Sequence, residues 1–456
     1  MEMAKMENNE IKNSKLIPRL RFPGFEVEWE EKKLGEVTTW DKYFQGVPRQ
    51  LQLSVIKYPY VLANVFSAIA RKEGNVLLLS TGNYAGWTTE ELAGENMCEG
   101  EIVAIPWGGT ANIKYVKGKF VTADNRIATS SNLTILNNKF LYYTMLFNKD
   151  KIDGFYRGAG IKHPSMFDVL NMQIHLPVLL EQEKIASCLS ELDNLIAAQG
   201  QKVDALKEKK KALMQQLFPQ PGETTPRLRF PGFEGEWEEK KLGEIADRCT
   251  SRNRDKTETR VLTNSATEGV VDQNAYFDRN IAIKENTDNY NIVDLDDFVY
   301  NPRISTSAPV GPISRNKIGR GIMSPLYSVF RFKSENIDYL EHYFSTTIWH
   351  RYLKSVANYG ARFDRMAIST EDFYSMPILC PIPAEQQKIA SCLSSLDDLI
   401  AAESTKVEAL KDHKKGLMQQ LFPQGSEISR FSNTHLQRDA QECDEPLGDA
   451  QECDTP

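Results

Sequence analysis

The sequence predicts an α+β protein in which two globular mixed α/β domains are separated by two long helices that pair with each other. Three observations lead to this prediction: a short box of residues occurs twice, a long helical pattern occurs twice, and each box is followed by β-rich runs and turns. A chain of 456 residues is also too long for one hydrophobic core and suits two or three domains.

The repeated box opens each half of the chain. Arg19–Glu36 recurs as Arg227–Glu244, and Val27 against Gly235 is the single difference among 18 aligned positions. The stretches that follow, 37–180 and 245–384, have similar lengths and little similarity to each other. Two nearly identical boxes, each followed by a dissimilar stretch, indicate one scaffold that carries two different domains.

Both variable stretches alternate short β-rich runs with Gly, Asn and Pro turns, and helical patterns follow later in each. This order favours a mixed α+β domain over a pure barrel. The predicted strands are Asn75–Ser80, Glu101–Pro106, Asp297–Asn301 and Leu326–Phe332, and the predicted helical segments lie around Lys139–Asn148 and Ile337–Lys354. Ser165 and Ser369, each three residues before an Asp, are predicted helix N-caps.

The long repeat, Glu181–Gln220 and Glu385–Gln424, is identical at 30 of 40 positions and predicts a helix of about five heptads. Its apolar residues are spaced alternately by four and three, and polar residues fill the remaining seam positions (Gln199, Lys210, Glu403 and Lys414). We predict that the two helices pair, although a long helix packed only on its own domain has a similar pattern. The predicted interface residues are Ile185, Leu189, Leu192, Ile196, Val203, Leu206, Ile389, Leu393, Leu396, Ile400, Val407 and Leu410.

Prolines and changes of composition set the predicted domain boundaries. Pro219 and Pro423 end the two helices. Residues 425–456 carry eight acidic residues against two arginines, so most of the formal charge of −7 lies there and the rest of the chain is nearly neutral. The predicted segments are an N-terminal tail (1–17), a first domain (18–180), a first helix (181–218), a linker (219–226), a second domain (227–384), a second helix (385–422) and an acidic disordered tail (423–456).

The lack of recognisable catalytic motifs favours a binding protein over an enzyme. No apolar run reaches the roughly 18–20 residues of a membrane span, and the polar N-terminus lacks a signal-peptide core. The seven cysteines form no CxxC pair, which argues against a zinc site or a disulfide framework. No phosphate-binding loop is visible, and Tyr300–Arg303 has Arg where an amino-methyltransferase box has its second proline. We therefore expect a cytoplasmic protein with no catalytic residue, metal or cofactor of its own.

Candidate DNA-binding residues come from local excesses of basic charge. Ile102–Lys149 holds six basic residues and one acid, and Phe298–Ser334 holds six and none. Such stretches on a nearly neutral domain are typical of a face that binds an anion, and Arg and Asn suit guanine and adenine. Glycine-containing stretches before each helix add phosphate ligands, whereas a solvated loop is the alternative for any single residue. The candidates are Asn112, Lys114, Lys117, Asn125, Arg126, Arg157, Lys162, Asn301, Arg303, Arg315, Asn316, Lys317, Arg320, Arg362 and Arg365.

Over about residues 17–424 the chain resembles the specificity subunit of type I restriction–modification enzymes. The matching motifs are Arg-Leu-Arg-Phe-Pro-Gly-Phe with Trp-Glu and Lys-Leu-Gly in each box, and Leu-Met-Gln-Gln-Leu-Phe-Pro at the end of each helix. The entry to each helix matches as Glu-Gln-x-Lys-Ile-Ala-x-x-Leu-Ser-x-Leu-Asp. A double box and a double helix at this spacing make the resemblance specific.

The resemblance implies a function that the spacing alone does not. In this family the variable domains are target recognition domains, each reading one half of a bipartite, asymmetric target in double-stranded DNA. The helices pair antiparallel in a pseudo-twofold arrangement and set the spacer. Two methylation subunits bind this scaffold and use S-adenosylmethionine, and restriction subunits use ATP and Mg²⁺ to translocate and cut DNA. The chain itself is then a non-catalytic recognition subunit.

Two other classes of protein stay open. A single-chain methyltransferase requires a cofactor loop and a catalytic box, and an adaptor that binds only proteins leaves the basic stretches unexplained. The near-identical boxes also suggest a subunit whose variable domains are exchanged by recombination.

Overall fold

The computed structural model describes residues 17–52, 54–82, 85–276, 287–333, 336–358 and 364–423. Most of the predicted N-terminal tail, the acidic tail from residue 424 onward and Arg362 lie outside these residues. The chain divides into two compact units, each built from one box, one variable domain and a part of each long helix. Unit 1 is Met1–Ala198 with Glu408–Pro456, and unit 2 is Gln199–Val407.

Unit 1 carries a six-stranded sheet with helices packed beside it. Its strands are β1 (Glu30–Lys33), β2 (Thr38–Trp40), β3 (Val76–Leu79), β4 (Ala85–Thr88), β5 (Cys98–Pro106), β6 (Lys114–Thr122), β7 (Asn125–Ser130), β8 (Tyr156–Arg157), β9 (His163–Pro164) and β10 (Gln173–Leu176). Its helices are α1 (Leu34–Val37), α2 (Ala63–Ile69), α3 (Glu90–Ala93), α4 (Asn138–Phe147), α5 (Lys149–Asp153) and α6 (Met166–Asn171), with 3-10 turns at Arg49–Leu51 and Gly94–Asn96. The sheet order is β2-β7-β5-β6-β3-β4, and only β3 and β6 in it run parallel.

Unit 2 has smaller sheets. Its strands are β11 (Glu238–Lys241), β12 (Ala246–Arg248), β13 (Leu262–Ser265), β14 (Gly269–Asp272), β15 (Asn291–Val293), β16 (Phe298–Tyr300), β17 (Ile313–Arg315), β18 (Gly321–Met323), β19 (Ser328–Phe332) and β20 (Pro377–Cys380). Its helices are α8 (Leu242–Ile245), α9 (Gln273–Tyr276), α10 (Ile337–Phe344), α11 (His350–Val356) and α12 (Thr370–Tyr374). The largest sheet has the order β12-β19-β16-β17. Both units therefore combine sheets and helices, which confirms the predicted α+β class.

The box closes each unit by the same contacts. In unit 1, β1 pairs antiparallel with β10, the strand that precedes the first long helix; in unit 2, β11 pairs with β20 in the same way. Arg21 donates two hydrogen bonds to Glu181 at 2.7 and 2.8 Å, and Arg229 does the same to Glu385. Both glutamates are buried, so these bidentate pairs tie the box to the start of a long helix.

The box also contacts the end of a long helix. The backbone N–H of Leu20 donates to the carbonyl of Gln420 at 3.0 Å in unit 1, and Leu228 donates to Gln216 at 2.9 Å in unit 2. The indole of Trp29 meets the ring of Phe422 edge-on at 6.1 Å, and Trp237 meets Phe218 similarly at 6.3 Å. In unit 2 the linker joins these two segments covalently, whereas in unit 1 non-covalent contacts alone hold them together.

The long helices are α7 (Leu179–Leu217) and α13 (Pro383–Leu421), which start two residues before the predicted positions. Pro383 begins the second helix because its fixed φ suits a first helical turn, whose N–H needs no partner. All twelve predicted interface residues are buried or half-buried, with Ile185, Leu189, Ile389 and Leu393 at the domain ends nearly inaccessible.

Polar contacts within unit 2 fix the direction of the helix pair. Gln199 and Lys202 both contact Glu403, whereas Lys210, further along the first helix, contacts Asp397, which lies earlier on the second, at 2.6 Å. The helices are therefore antiparallel, as predicted from the resemblance. Three side-chain donors, chiefly the Lys202 ammonium, lower the pKa of the Glu403 carboxyl to about 2.

Local elements follow the predictions with one difference. Ser165 and Ser369 accept hydrogen bonds from the backbone N–H of Asp168 and Asp372, which confirms both caps. The segment predicted around Ile337–Lys354 consists of two helices, α10 and α11. The hydroxyl groups of Ser345 and Thr346 bond to carbonyls of the preceding turn, and such local bonds favour ending a helix there.

Candidate nucleic-acid interface

In unit 1, a glycine-containing loop after β5 meets a hairpin formed by β8 and β9. The loop is Trp107–Thr110, and Gly109 donates its backbone N–H to the carbonyl of Lys162 at 2.9 Å. The ring of His163 lies 5.2 Å from that of Trp107, and its Nδ1 is 2.7 Å from the Trp107 carbonyl. Backbone and ring contacts therefore hold the hairpin against the loop.

The hairpin exposes two of the predicted phosphate ligands. Arg157 is largely exposed and bonds to Asp168 at 2.8 Å. Lys162 is exposed and makes no ion pair with any residue that the structure describes. Above the loop, the Lys42 ammonium lies 5.5 Å from the ring centre of Trp107 and adds positive charge. This arrangement has the aromatic and basic groups that nucleic-acid surfaces use.

Three other candidates in unit 1 lie on β6 or directly before it. Asn112 donates to the carbonyl of Gly82 at 2.7 Å, and Lys117 is exposed with Glu101 at 3.4 Å. Lys114 is half-buried and donates to the carbonyl of Ser80. Burial lowers the pKa of the Lys114 ammonium to about 8, because a charge away from water is disfavoured.

Asn125 and Arg126 are buried and serve the fold. Arg126 is 2% exposed, bonds to Asp124 at 2.6 Å and Asp41 at 3.3 Å, and stacks on Trp107 at 4.4 Å. The amide of Asn125 donates to carbonyl groups at the end of β3. Both side chains are used inside the unit, so in this conformation they hold the loop and are not presented to a partner.

In unit 2 the loop after β16 contacts the segment that precedes α12. Arg303 and Arg365 face each other as an antiparallel bridge, and Met366 donates its N–H to the carbonyl of Pro302 at 2.9 Å. Arg303 is exposed and forms no ion pair within the described ranges, whereas Arg365 is mostly covered. Asn301 is buried and donates to the carbonyl of Asn264 at 2.9 Å. Arg362 lies outside the described residues.

The remaining candidates of unit 2 belong to a network of charges. Arg315 is 13% exposed and contacts Asp296 and Asp338 at 2.6 Å and Glu341 at 3.3 Å. Lys317 pairs with Glu341 at 2.6 Å. Arg320 pairs with Asp294 at 2.7 Å, and the buried side chain of Asn316 donates to two backbone carbonyls. The structure therefore brings these residues together, but around carboxylates rather than on an open basic face.

Sequence reasoning missed several residues at these sites. Trp107, Lys42 and His163 were not candidates, although an aromatic residue directly before Gly108-Gly109 is a recognisable signal for an exposed loop. Asp294, Asp296 and Asp297 were missed because the basic stretch was counted from Phe298 onward.

The domain helices α4 and α10 hold the long helices by equivalent contacts. The hydroxyl of Tyr143 donates to Asp193 at 2.7 Å, and Lys414 also bonds to Asp193. In unit 2, His342 is the equivalent residue and lies 3.2 Å from Ser394 and 4.0 Å from Asp397. These contacts couple each domain to the scaffold.

The described residues contain no cluster of three or more His, Cys, Asp or Glu side chains placed to hold a metal ion. Nor does any helix among them have the length and apolar character needed to cross a bilayer.

Comparison with known proteins identifies the family. A family model described as "Type I restriction modification DNA specificity domain" matches residues 26–208 and 234–412. The MjaVIII specificity subunit of a type I restriction enzyme from Methanocaldococcus jannaschii is 23% identical over 71% of this chain and 78% of its own length. The putative MjaX specificity subunit from the same organism is 28% identical over 55% of this chain and 59% of its own length.

A solved structure has a similar fold. The S subunit of a type I restriction–modification system from M. genitalium has a TM-score of 0.54 at 14% identity, covering 90% of this chain and 100% of that one. The two matched segments together cover most of the chain, and each runs from inside a box through the variable domain into a long helix. The chain therefore belongs to the family of type I restriction–modification DNA specificity subunits, which are not themselves catalytic.

Proposed function

We propose that each unit reads one half of a bipartite, asymmetric target in double-stranded DNA. The observation that supports this most directly is that, in both units, the loop after a central strand contacts the segment that precedes a short helix, and that the side chains at this contact differ. In unit 1 this contact involves Trp107, Lys162 and Ile161, whose Cγ2 lies over Gly108, whereas in unit 2 it involves Arg303 and Arg365. A similar backbone arrangement that carries different side chains in the two units suits the recognition of two different half-targets.

The proposed DNA-binding residues are the exposed members of the predicted set. They are Lys117, Arg157 and Lys162 in unit 1, and Arg303, Lys317 and Arg320 in unit 2, with Arg362 retained from the sequence. Asn112, Lys114 and Arg365 have partly covered side chains and are kept as proposed contacts. The buried or mostly covered residues of the predicted set support the loops and are proposed to act only through them; they are Asn125, Arg126, Asn301, Arg315 and Asn316.

We propose that the paired helices set the spacer and bind two methylation subunits. Leu195 in unit 1 is 51% exposed, and its equivalent in unit 2, Leu399, is 41% exposed. An apolar residue on the solvent side of both helices suits a protein partner that binds twice. In this assembly the methylation subunits use S-adenosylmethionine for adenine methylation, and restriction subunits use ATP and Mg²⁺.

Methylation-sensitive sequencing of the host genome tests this proposal. With the chain present, we expect a split adenine-methylated motif that disappears when the chain is deleted. Arg303→Ala should reduce methylation at one half-target by relaxing or weakening its recognition about tenfold, since a good base contact contributes roughly 1–3 kcal/mol. The control Lys207→Ala removes an exposed charge from the helix in the same unit and should change nothing. Equal loss of selectivity at both halves would contradict separate readers.

A further inference from the structure

The tip of the hairpin in unit 1 carries a large apolar side chain in an unusual setting. Ile161 is 73% exposed, the largest exposed fraction of any large hydrophobic residue in the described ranges. It lies between Arg157 and Lys162, so basic groups flank it on both sides. An isolated exposed apolar residue needs no explanation, but one at the tip of a basic hairpin suits a partner that is both anionic and apolar.

The loop beneath the hairpin fixes the position of Ile161. A Cβ atom added at Gly108 would lie 2.9 Å from Cγ2 of Ile161, so the side chain lies directly over the glycine backbone. The bond from Gly109 to the Lys162 carbonyl and the contact of His163 with Trp107 hold the adjoining strand. A β-branched side chain has few χ1 rotamers, so Ile161 is held in a defined direction before any partner binds.

This inference rests on the proposed function. We propose that the side chain of Ile161 is an apolar wedge that inserts between two stacked base pairs of the half-target read by unit 1. DNA offers the required combination, because phosphates attract the flanking cations and unstacked bases expose apolar faces. Proteins that kink DNA insert Ile, Leu, Met, Phe or Pro side chains between base pairs in this way. The wedge opens a step in the first half-target, so recognition there depends on how easily that step unstacks.

The test uses the full chain with its methylation subunits and a duplex carrying the target identified by methylation sequencing. 2-Aminopurine replaces one base at a time through the first half-target, and its fluorescence rises where stacking is lost. At positions other than the methylated adenine, which methyltransferases flip out of the stack whatever residue stands at 161, we expect a rise at one step with the unchanged chain and no rise with Ile161→Ala. The same substitution should lower the affinity for the duplex about tenfold, which corresponds to about 1.4 kcal/mol.

Two variants complete the design. Gly108→Ala places a methyl group against Ile161 and should reduce the fluorescence signal although Ile161 is still present. Leu133→Ala removes an aliphatic side chain that is 63% exposed outside the hairpin and should leave both signal and affinity unchanged.

Three results would overturn the wedge. If Ile161→Ala gives the fluorescence and affinity of the unchanged chain, the target is read without it and the proposed function stands. If replacing one thymine by uracil reproduces the loss of affinity while no step unstacks, Ile161 contacts a thymine methyl group instead. If the unchanged complex does not prefer the split target over unrelated DNA, the proposed function fails as well.

Discussion

The side chain of Arg315 lies among three carboxylates, those of Asp296, Asp338 and Glu341, and this position decides what its replacement will do. We predict that Arg315→Ala lowers the free energy of unfolding of unit 2 by about 1–3 kcal/mol, because it removes hydrogen bonds between charged groups and leaves like charges together. Chemical denaturation of the full chain, followed by the fluorescence of its tryptophans, measures this loss.

Arg303→Ala is the matched control for that experiment. Arg303 is exposed and has no carboxylate partner within the described residues, so its removal should leave the unfolding midpoint unchanged while it alters target choice. Equal stability of the two variants would show that the carboxylate network does not stabilise unit 2.

Single residues were the hardest feature to predict from the sequence. Arg126 and Arg315 have the chemistry of base readers, yet Arg126 is inaccessible and Arg315 is mostly covered. Some of the aspartates that hold them were not counted with them, since Asp41 is distant in sequence and Asp296 lies just outside the counted stretch. Charge counts along the chain do not reveal such pairs, because the fold decides which acid meets which base. Lys162 and Arg303 are exposed, as residues of glycine- and proline-containing loops usually are, and their binding of DNA stays a prediction.

At the scale of elements, the long helices were predicted within two residues because their heptad pattern and terminal prolines act locally. The division of Ile337–Lys354 into two helices was missed, since the apolar pattern continues through the break. The contacts between α10 and the long helix could not be predicted from the sequence either. They depend on tertiary packing that places His342 beside Asp397.

The surroundings of His342 make the stability of the protein depend on pH in a definite direction. Burial, assisted by the nearby charge of Lys210, lowers the pKa of the His342 imidazole to about 4, whereas an unfolded chain binds this proton near 6.5. Between these values the unfolded state takes up a proton that the folded state does not. Stability therefore falls as the pH falls from about 6.5 to about 4, by up to about 1.4 kcal/mol per pH unit.

The equivalent residue in unit 1 supplies the test of this effect. Because Tyr143 occupies the matching position and bonds to Asp193, His342→Tyr should be accommodated beside Asp397 and Ser394. We expect the melting temperature of this variant to depend less steeply on pH between about 6.5 and 4 than that of the unchanged chain. His350, whose pKa burial also lowers to about 4, stays in both proteins and cancels in the comparison. Parallel curves would exclude His342 as the source.

The same contacts between box and long helices close both units. The bidentate pairs Arg21–Glu181 and Arg229–Glu385 and the edge-on Trp29 and Trp237 all come from residues that the repeated box and helix share. The repeat was readable from the sequence because it is nearly identical in letters. Its physical role was not, since the β1–β10 and β11–β20 pairs join segments more than a hundred residues apart.

The same repeat predicts how the chain assembles with its partners. Leu195 and Leu399 occupy equivalent positions on the solvent side of the long helices, whereas Leu192 and Leu396 lie half-buried in their seam. We predict that Leu195→Asp with Leu399→Asp leaves the melting temperature nearly unchanged but prevents binding of methylation subunits, because each charge would be buried in the protein interface. Size-exclusion chromatography with light scattering measures the mass of the assembly.

Two controls separate assembly from folding in this experiment. Leu192→Asp with Leu396→Asp places charges inside the helix pair and should lower the melting temperature as well as the mass. Asn194→Asp adds one exposed charge beside Leu195 and matches Asp398, which the second helix already carries, so it should change neither quantity. If the Leu195 and Leu399 variant still binds two methylation subunits, the partner surface lies elsewhere on the scaffold. If it binds one, only one of the two leucines contacts a subunit, and the single variants identify which.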